Sequence, residues 1–165
     1  MERVRAAKRA PGDDPLFALT PEDLNTLWEK EKAQSRIQAN PRDSTIPCCV
    51  TTRKTDNGYA RLHIPAEMRK KYPSMPDYGN GGKNNMRVFA HRLVLLATGR
   101  RPERSTCDAS HLCGNASCIE PTHLVWERHP VNMDRHGCHV HGWFEVCPHT
   151  PPCLARVPFQ EPDRP

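Results

Sequence analysis

Aromatic residues are scarce in this chain: Phe, Trp and Tyr together make up 6% of its 165 residues. The apolar fraction is only 36%, and 17 prolines interrupt regular structure. A core this thin is helped in small proteins by metals, disulfides or oligomerisation. No apolar run reaches the roughly 18 residues of a membrane span, so no membrane partner is expected. The first ten residues, MERVRAAKRA, lack the apolar stretch of an export signal. The chain is therefore expected in a reducing, intracellular setting, where cysteine–histidine clusters hold zinc more often than they form disulfides.

What the chain does have is 8 cysteines, 9 histidines and an uneven charge. The formal net charge is +5. Residues 40–105 hold thirteen Lys/Arg against five Asp/Glu, a net of +8, and the remainder is about −3. A basic middle segment suggests a polyanionic partner, although charge alone fits a solvated basic face equally well. At 165 residues the chain has room for one domain of ordinary size.

Local patterns give a mixed α+β class. Residues 1–19 read as a basic, disordered segment. Residues 20–39 read as a helix, with Thr20 as N-cap, Pro21 in the first helical position, and Leu24, Leu27, Trp28 and Ile37 as a partial apolar stripe. Residues 45–64 read as a hairpin: Cys48 to Thr52 is β-prone, Asp56-Asn57-Gly58 is a turn, and residues 59–64 alternate. That alternation puts Tyr59, Arg61 and His63 on one strand face, and a basic ribbon of this kind can enter a DNA major groove. Residues 65–85 read as a Pro/Gly/Asn-rich loop, 86–89 as a strand, and 91–98 as a short buried helix ending at Gly99. Residues 110–113 and 123–126 read as strands, and 130–136 as a short helix with Asn132 in its first turn.

The chemistry concentrates between residues 106 and 153. Cys113-x4-Cys118-x4-His123 supplies three metal ligands, and Cys138-x8-Cys147-x-His149-x3-Cys153 supplies a complete Cys3His set. The first group lacks one ligand, which Cys48 or Cys49 can provide. Two closed four-ligand sets suit structural zinc. His111, two residues before Cys113 on the expected strand, shares its side of that strand. Cys107 is expected to pack in the core.

At these residues the sequence resembles the His-Cys box homing endonucleases, intron-encoded enzymes of the ββα-metal (His-Me finger) class. The resemblance rests on Thr106, Cys107, Asp108, Ala109, Ser110, His111, Leu112 and Cys113, then Asn115, Cys118, Pro121, His123, Leu124, Trp126, Glu127, Asn132, Cys138, Cys147, His149 and Cys153. It covers about residues 45–153. It implies a ββα-metal core with an antiparallel DNA-binding sheet and two structural zinc sites. It also implies His111 as general base, Asn132 as ligand of one Mg²⁺ per active site, and Arg87, with Arg92 nearby, as the phosphate-contacting region. It favours Cys48 over Cys49 beside Cys113, Cys118 and His123, and it assigns Cys138, Cys147, His149 and Cys153 to the second zinc.

The implied organisation is one endonuclease domain over residues 20–153. Within it, 45–90 form the DNA-binding sheet, 106–137 the catalytic core and 138–153 the second zinc loop, followed by a tail over 154–165. The implied partners are double-stranded DNA and a second copy of the chain, in the nucleus. The DNA-contacting candidates are Arg53, Lys54, Arg61, His63, Lys83 and Arg87. The implied activity is site-specific double-strand hydrolysis leaving 5′-phosphate and 3′-hydroxyl ends. The alternatives are a non-catalytic zinc-dependent DNA-binding module and a non-specific His-Me nuclease.

Overall fold

The computed structural model describes residues 14–40, 43–52, 58–73, 75, 87–142 and 147–154. Arg53, Lys54 and Lys83 lie outside the described residues. The architecture is α+β, with four helices and three two-stranded antiparallel sheets among the described residues.

A 3-10 turn, Pro15–Ala18, comes first, capped by Asp14, whose side chain accepts from Leu16 N. Leu16 is fully buried and Leu19 nearly so. Residues 14–19 are therefore ordered, with Leu16 and Leu19 in the core, in place of the disordered segment expected over 1–19. Helix α1 runs over Pro21–Lys32, with Thr20 Oγ1 accepting from Asp23 N. It buries Leu24, Leu27 and Trp28. The expected helix to residue 39 ends early because its apolar stripe runs out: Ile37 is 70% exposed. Ser35 Oγ donates to Lys32 O at 2.6 Å, satisfying a carbonyl left open at the helix end.

Residues 35–40 instead form β1 (Ser35–Asn40), which pairs with β2 (Asp43–Thr51). The expected hairpin over 45–64 is thus replaced by two separate pairings. β2 takes its partner from upstream, and β3 (Arg61–His63) pairs with β4 (Arg87–Phe89), far along the chain. No single sheet spans 45–90 among the described residues. The pairing of β3 with β4 is driven by burial: Leu62 lies opposite Val88, and both face the core. Within the expected loop 65–85, Ala66–Lys71 forms a short helix, α2.

Helix α3 (Ala90–Ala97) is the centre of the core. Leu93, Val94 and Leu95 have no exposed surface, and Gly99 follows at φ +76° as the chain leaves the helix. Leu24, Leu27, Ile64, Ile119 and Leu124 join the same cluster. β5 (Cys107–His111) and β6 (Leu124–Arg128) form the third sheet, and α4 (His129–His141) follows directly. This is the strand–strand–helix unit expected for residues 106–137, with shifted boundaries. α4 runs five residues past the expected end at 136 and stops at Gly142, whose φ of +74° suits a left-handed C-cap. Gly137 is tolerated inside it. Cys138 therefore sits on a helix, not in the expected loop. Among the described residues no helix is long and apolar enough to cross a membrane.

Candidate zinc centres and active site

Strand pairing assembles the first metal-binding group. Val50 of β2 bridges to Cys118, and Ile119 N donates to Cys49 O at 2.7 Å. This places Cys48, which is fully buried, beside Cys113, Cys118 and His123. Cys49 points away from the group, with its Sγ 3.1 Å from Ser35 Oγ. Cys138, Cys147, His149 and Cys153 form the second group, and in each group the ligand atoms lie within 4.8 Å of one another.

The spacing fits zinc. A tetrahedral ion with Zn–S of about 2.3 Å and Zn–N of about 2.0–2.1 Å sets sulfur and nitrogen about 3.6 Å apart. His123 Nδ1 lies 3.8 Å from Cys48 Sγ and 3.5 Å from Cys118 Sγ. His149 Nδ1 lies 3.3 Å from Cys147 Sγ and 3.6 Å from Cys153 Sγ. Backbone N–H groups of Glu120 and Cys153 donate to Cys118 Sγ and Cys147 Sγ, as thiolates require. Hydrogen bonds from Cys113 and Cys118 hold the Cys48 thiol far below its ordinary range, while Cys118, bonded to Cys113 and Cys48, is pushed far above it. A dication that accepts several thiolates resolves that crowding. Both sets use all four positions on protein atoms, which marks structural sites.

The two groups are tied into the ββα unit. Leu154 N donates to Leu112 O at 2.7 Å, bringing the end of the second loop onto the first. Arg135 of α4, 1% exposed, donates to both carboxylate oxygens of Glu127 on β6 at 3.0 and 2.8 Å. Its remaining nitrogen reaches Pro151 O at 3.1 Å and Cys153 Sγ at 3.4 Å. One buried cation thus binds strand, helix and second zinc loop. Arg135→Met is expected to destabilise the zinc-loaded chain by about 3–5 kcal/mol, because it strands the Glu127 charge in the interior. Urea unfolding measures this, and an unchanged midpoint would remove Arg135 from the account.

The family model for the zinc-binding loop region of homing endonuclease matches residues 45–163, which include both metal-binding groups and the whole ββα unit. The chain belongs to that family. Membership in the homing-endonuclease family implies a nuclease acting on DNA, and the catalytic candidates are placed as follows.

His111 is the last residue of β5. The chain turns immediately after it, through Gly114 at φ +65°, whose N–H donates to His111 O at 3.3 Å. Strand alternation therefore does not relate His111 to Cys113, as the expected strand over 110–113 would require. His111 is positioned by other contacts. Its Nε2 lies 3.1 Å from Cys118 O. A carbonyl only accepts, so Nε2 carries the proton and Nδ1 is the basic nitrogen. His139 Nε2 donates to His111 O at 3.2 Å. Burial pushes the His111 imidazole down to about 4, so the ring is neutral.

Two rings pack against it and a third stands behind them. Tyr59 and His91 lie with centroids 5.9 and 4.7 Å from the His111 ring, and Phe89 lies 5.4 Å from His91. Burial holds the His91 imidazole well below its ordinary value. His91 was visible in the sequence only as the start of a buried helix, because its approach to His111 depends on tertiary packing.

Asn132 lies in the first turn of α4. Its Oδ1 accepts from Ser110 Oγ at 2.8 Å, and its Nδ2 donates to Asp108 Oδ2 at 3.0 Å. Arg61, His63 and Arg87 lie on the outward face of β3–β4, with His63 opposite Arg87 and Arg61 opposite Phe89. The Arg61 guanidinium stacks 4.7 Å over the Phe89 ring. Arg92 does not join this face. It forms an ion pair with Asp14 at 2.5 Å and lies over the Trp126 ring, so it holds the core together. Arg100, just after α3, is likewise structural, donating to Leu124 O and Pro121 O.

Proposed function

We propose that this homing-endonuclease chain is a site-specific, Mg²⁺-dependent DNA endonuclease with His111 as general base. The observation that carries the proposal is continuity. The outward face of β3–β4, bearing Arg61, His63 and Arg87, runs through Phe89 and Tyr59 to the His111 ring. A duplex whose backbone lies on that face brings a phosphodiester to a neutral imidazole of fixed tautomer.

The chemistry follows from the residues. His111 Nδ1 takes a proton from a water that attacks phosphorus in line with the 3′ oxygen. The Nε2–H bond to Cys118 O fixes the ring and stabilises the imidazolium that results. Because Cys118 is a ligand of the first metal-binding group, that group rigidifies the base. Arg87 donates to a phosphate oxygen as negative charge grows on it. Asn132 offers a hard amide oxygen with one lone pair beyond the Ser110 bond, beside the Asp108 carboxylate, a setting that fits Mg²⁺. When bound there, Mg²⁺ supplies charge neutralisation at the phosphate and the departing oxygen. The products carry 5′-phosphate and 3′-hydroxyl ends. Two copies of the chain on a near-palindromic site would cut both strands.

The DNA-facing part of the proposal is tested by measuring duplex affinity of wild type and Arg87→Ala across salt concentrations. Arg87→Ala is expected to weaken binding and to reduce the slope of log affinity on log salt by about one. An identical slope and affinity would take Arg87 off the interface.

A further inference from the structure

Asp108 belongs to neither Cys/His group, and beyond lying beside Asn132 it has no assigned role in the reaction outlined above, yet it is the centre of a hydrogen-bond cluster. Its Oδ2 accepts from Asn132 Nδ2 at 3.0 Å and from His129 Nδ1 at 2.7 Å. Ser110 Oγ donates to the other end of the same amide, at 2.8 Å from Asn132 Oδ1. The cluster follows from elementary geometry. Asp108 and Ser110 are two apart on β5 and share a face. His129 and Asn132 are three apart on α4 and share a face.

A side-chain amide has two orientations of nearly equal shape, related by exchanging oxygen and nitrogen. Ser110 does not choose between them, because a hydroxyl both donates and accepts. Asp108 does choose. A carboxylate only accepts, so reversing the amide would set a carbonyl oxygen against a carboxylate oxygen at hydrogen-bond distance, an opposition of two acceptors. His129 holds the carboxylate in place, since its Nδ1 must carry the proton that Asp108 accepts.

We infer that Asp108, steadied by His129, is a positioning residue that fixes the orientation of the Asn132 amide, so that oxygen and not NH2 is presented to the divalent cation. The inference rests on Asn132 being the metal ligand. Outer-sphere partners of this kind alter metal affinity by about 10–100-fold. The side chains of Asp108 and His129 are 33% and 69% exposed, so both can be replaced without opening the core.

The test is a titration of Mn²⁺ into the zinc-loaded full chain bound to a duplex recovered by binding selection, read as loss of the free-ion electron paramagnetic resonance signal. Asp108→Asn, which is nearly isosteric but can donate or accept, is expected to weaken Mn²⁺ binding about 10–100-fold. Zinc content, melting temperature and duplex affinity in EDTA should stay at wild-type values. His129→Ala should weaken Mn²⁺ binding less, in the same direction, and Asn132→Ala should abolish it. Wild-type Mn²⁺ affinity in Asp108→Asn, with loss in Asn132→Ala, overturns the role of Asp108 alone. Loss in Asp108→Asn as complete as in Asn132→Ala also overturns it, by making Asp108 a ligand in its own right. Wild-type affinity in Asn132→Ala overturns the metal-ligand reading on which the inference rests.

Discussion

Replacing His111 with alanine is expected to lower the rate of DNA cleavage by about 10²–10⁴-fold, the usual worth of a positioned general base. Duplex affinity and zinc content should stay close to wild type. His111 lies outside both four-ligand groups, and the basic face of β3–β4 is built without it. Its ring contacts Tyr59 and His91, so truncation leaves a small void and some loss of stability, while the zinc loops keep their own ligands. Single-turnover cleavage, zinc analysis and a melting curve on the same preparation separate the two effects. A variant that melts far earlier and releases zinc would make His111 a structural residue. One that cuts at the wild-type rate would remove it from catalysis.

The second large effect concerns two adjacent cysteines. Cys48→Ser should lower the zinc content from two ions per chain to one and destabilise the fold by up to about 10 kcal/mol, since binding free energy at such a site is folding free energy. Cys49→Ser should retain both ions and cost about 1 kcal/mol. Both thiols are buried, so burial does not distinguish them. Strand direction does: neighbours on β2 face opposite sides, sending Cys48 to the His123 group and Cys49 to Ser35 on β1. Zinc quantification after chelator challenge, with urea unfolding, reads the difference. Equal losses from the two substitutions would mean that the first group is shared or fluctuating, contrary to the packing described.

The same residues show what the sequence could disclose. The metal-binding groups were legible because their ligands recur at short spacings and few other arrangements of Cys and His produce two sets of four. The choice between Cys48 and Cys49 was not, because both cysteines lie in one β-prone run and only the pairing of β2 decides which faces inward. Of the expected turn Asp56-Asn57-Gly58 only Gly58, at φ +82°, lies among the described residues, and the turn pattern did not reveal which strands pair. β2 found β1 and β3 found β4, the second pairing burying Leu62 against Val88. Helix α4 outran its expected end because Gly137, a common stop, is tolerated inside a helix that Gly142 terminates. In the candidate site, His111 and Asn132 were visible through a resemblance. The contacts around them were not: His91 against the His111 ring, and His129 and Asp108 beside Asn132, meet only through tertiary packing.

The central claim is that the chain hydrolyses DNA at a His111 centre, and one comparison tests it most directly. A randomised duplex library is incubated with Mg²⁺ and either the wild-type chain or His111→Ala, with a parallel wild-type reaction in EDTA. The account predicts enriched cut sites bearing 5′-phosphate ends from wild type in Mg²⁺ only. If both proteins retain the same duplexes and neither cuts, the chain is a zinc-dependent DNA-binding module, and the catalytic reading of His111 and Asn132 is wrong.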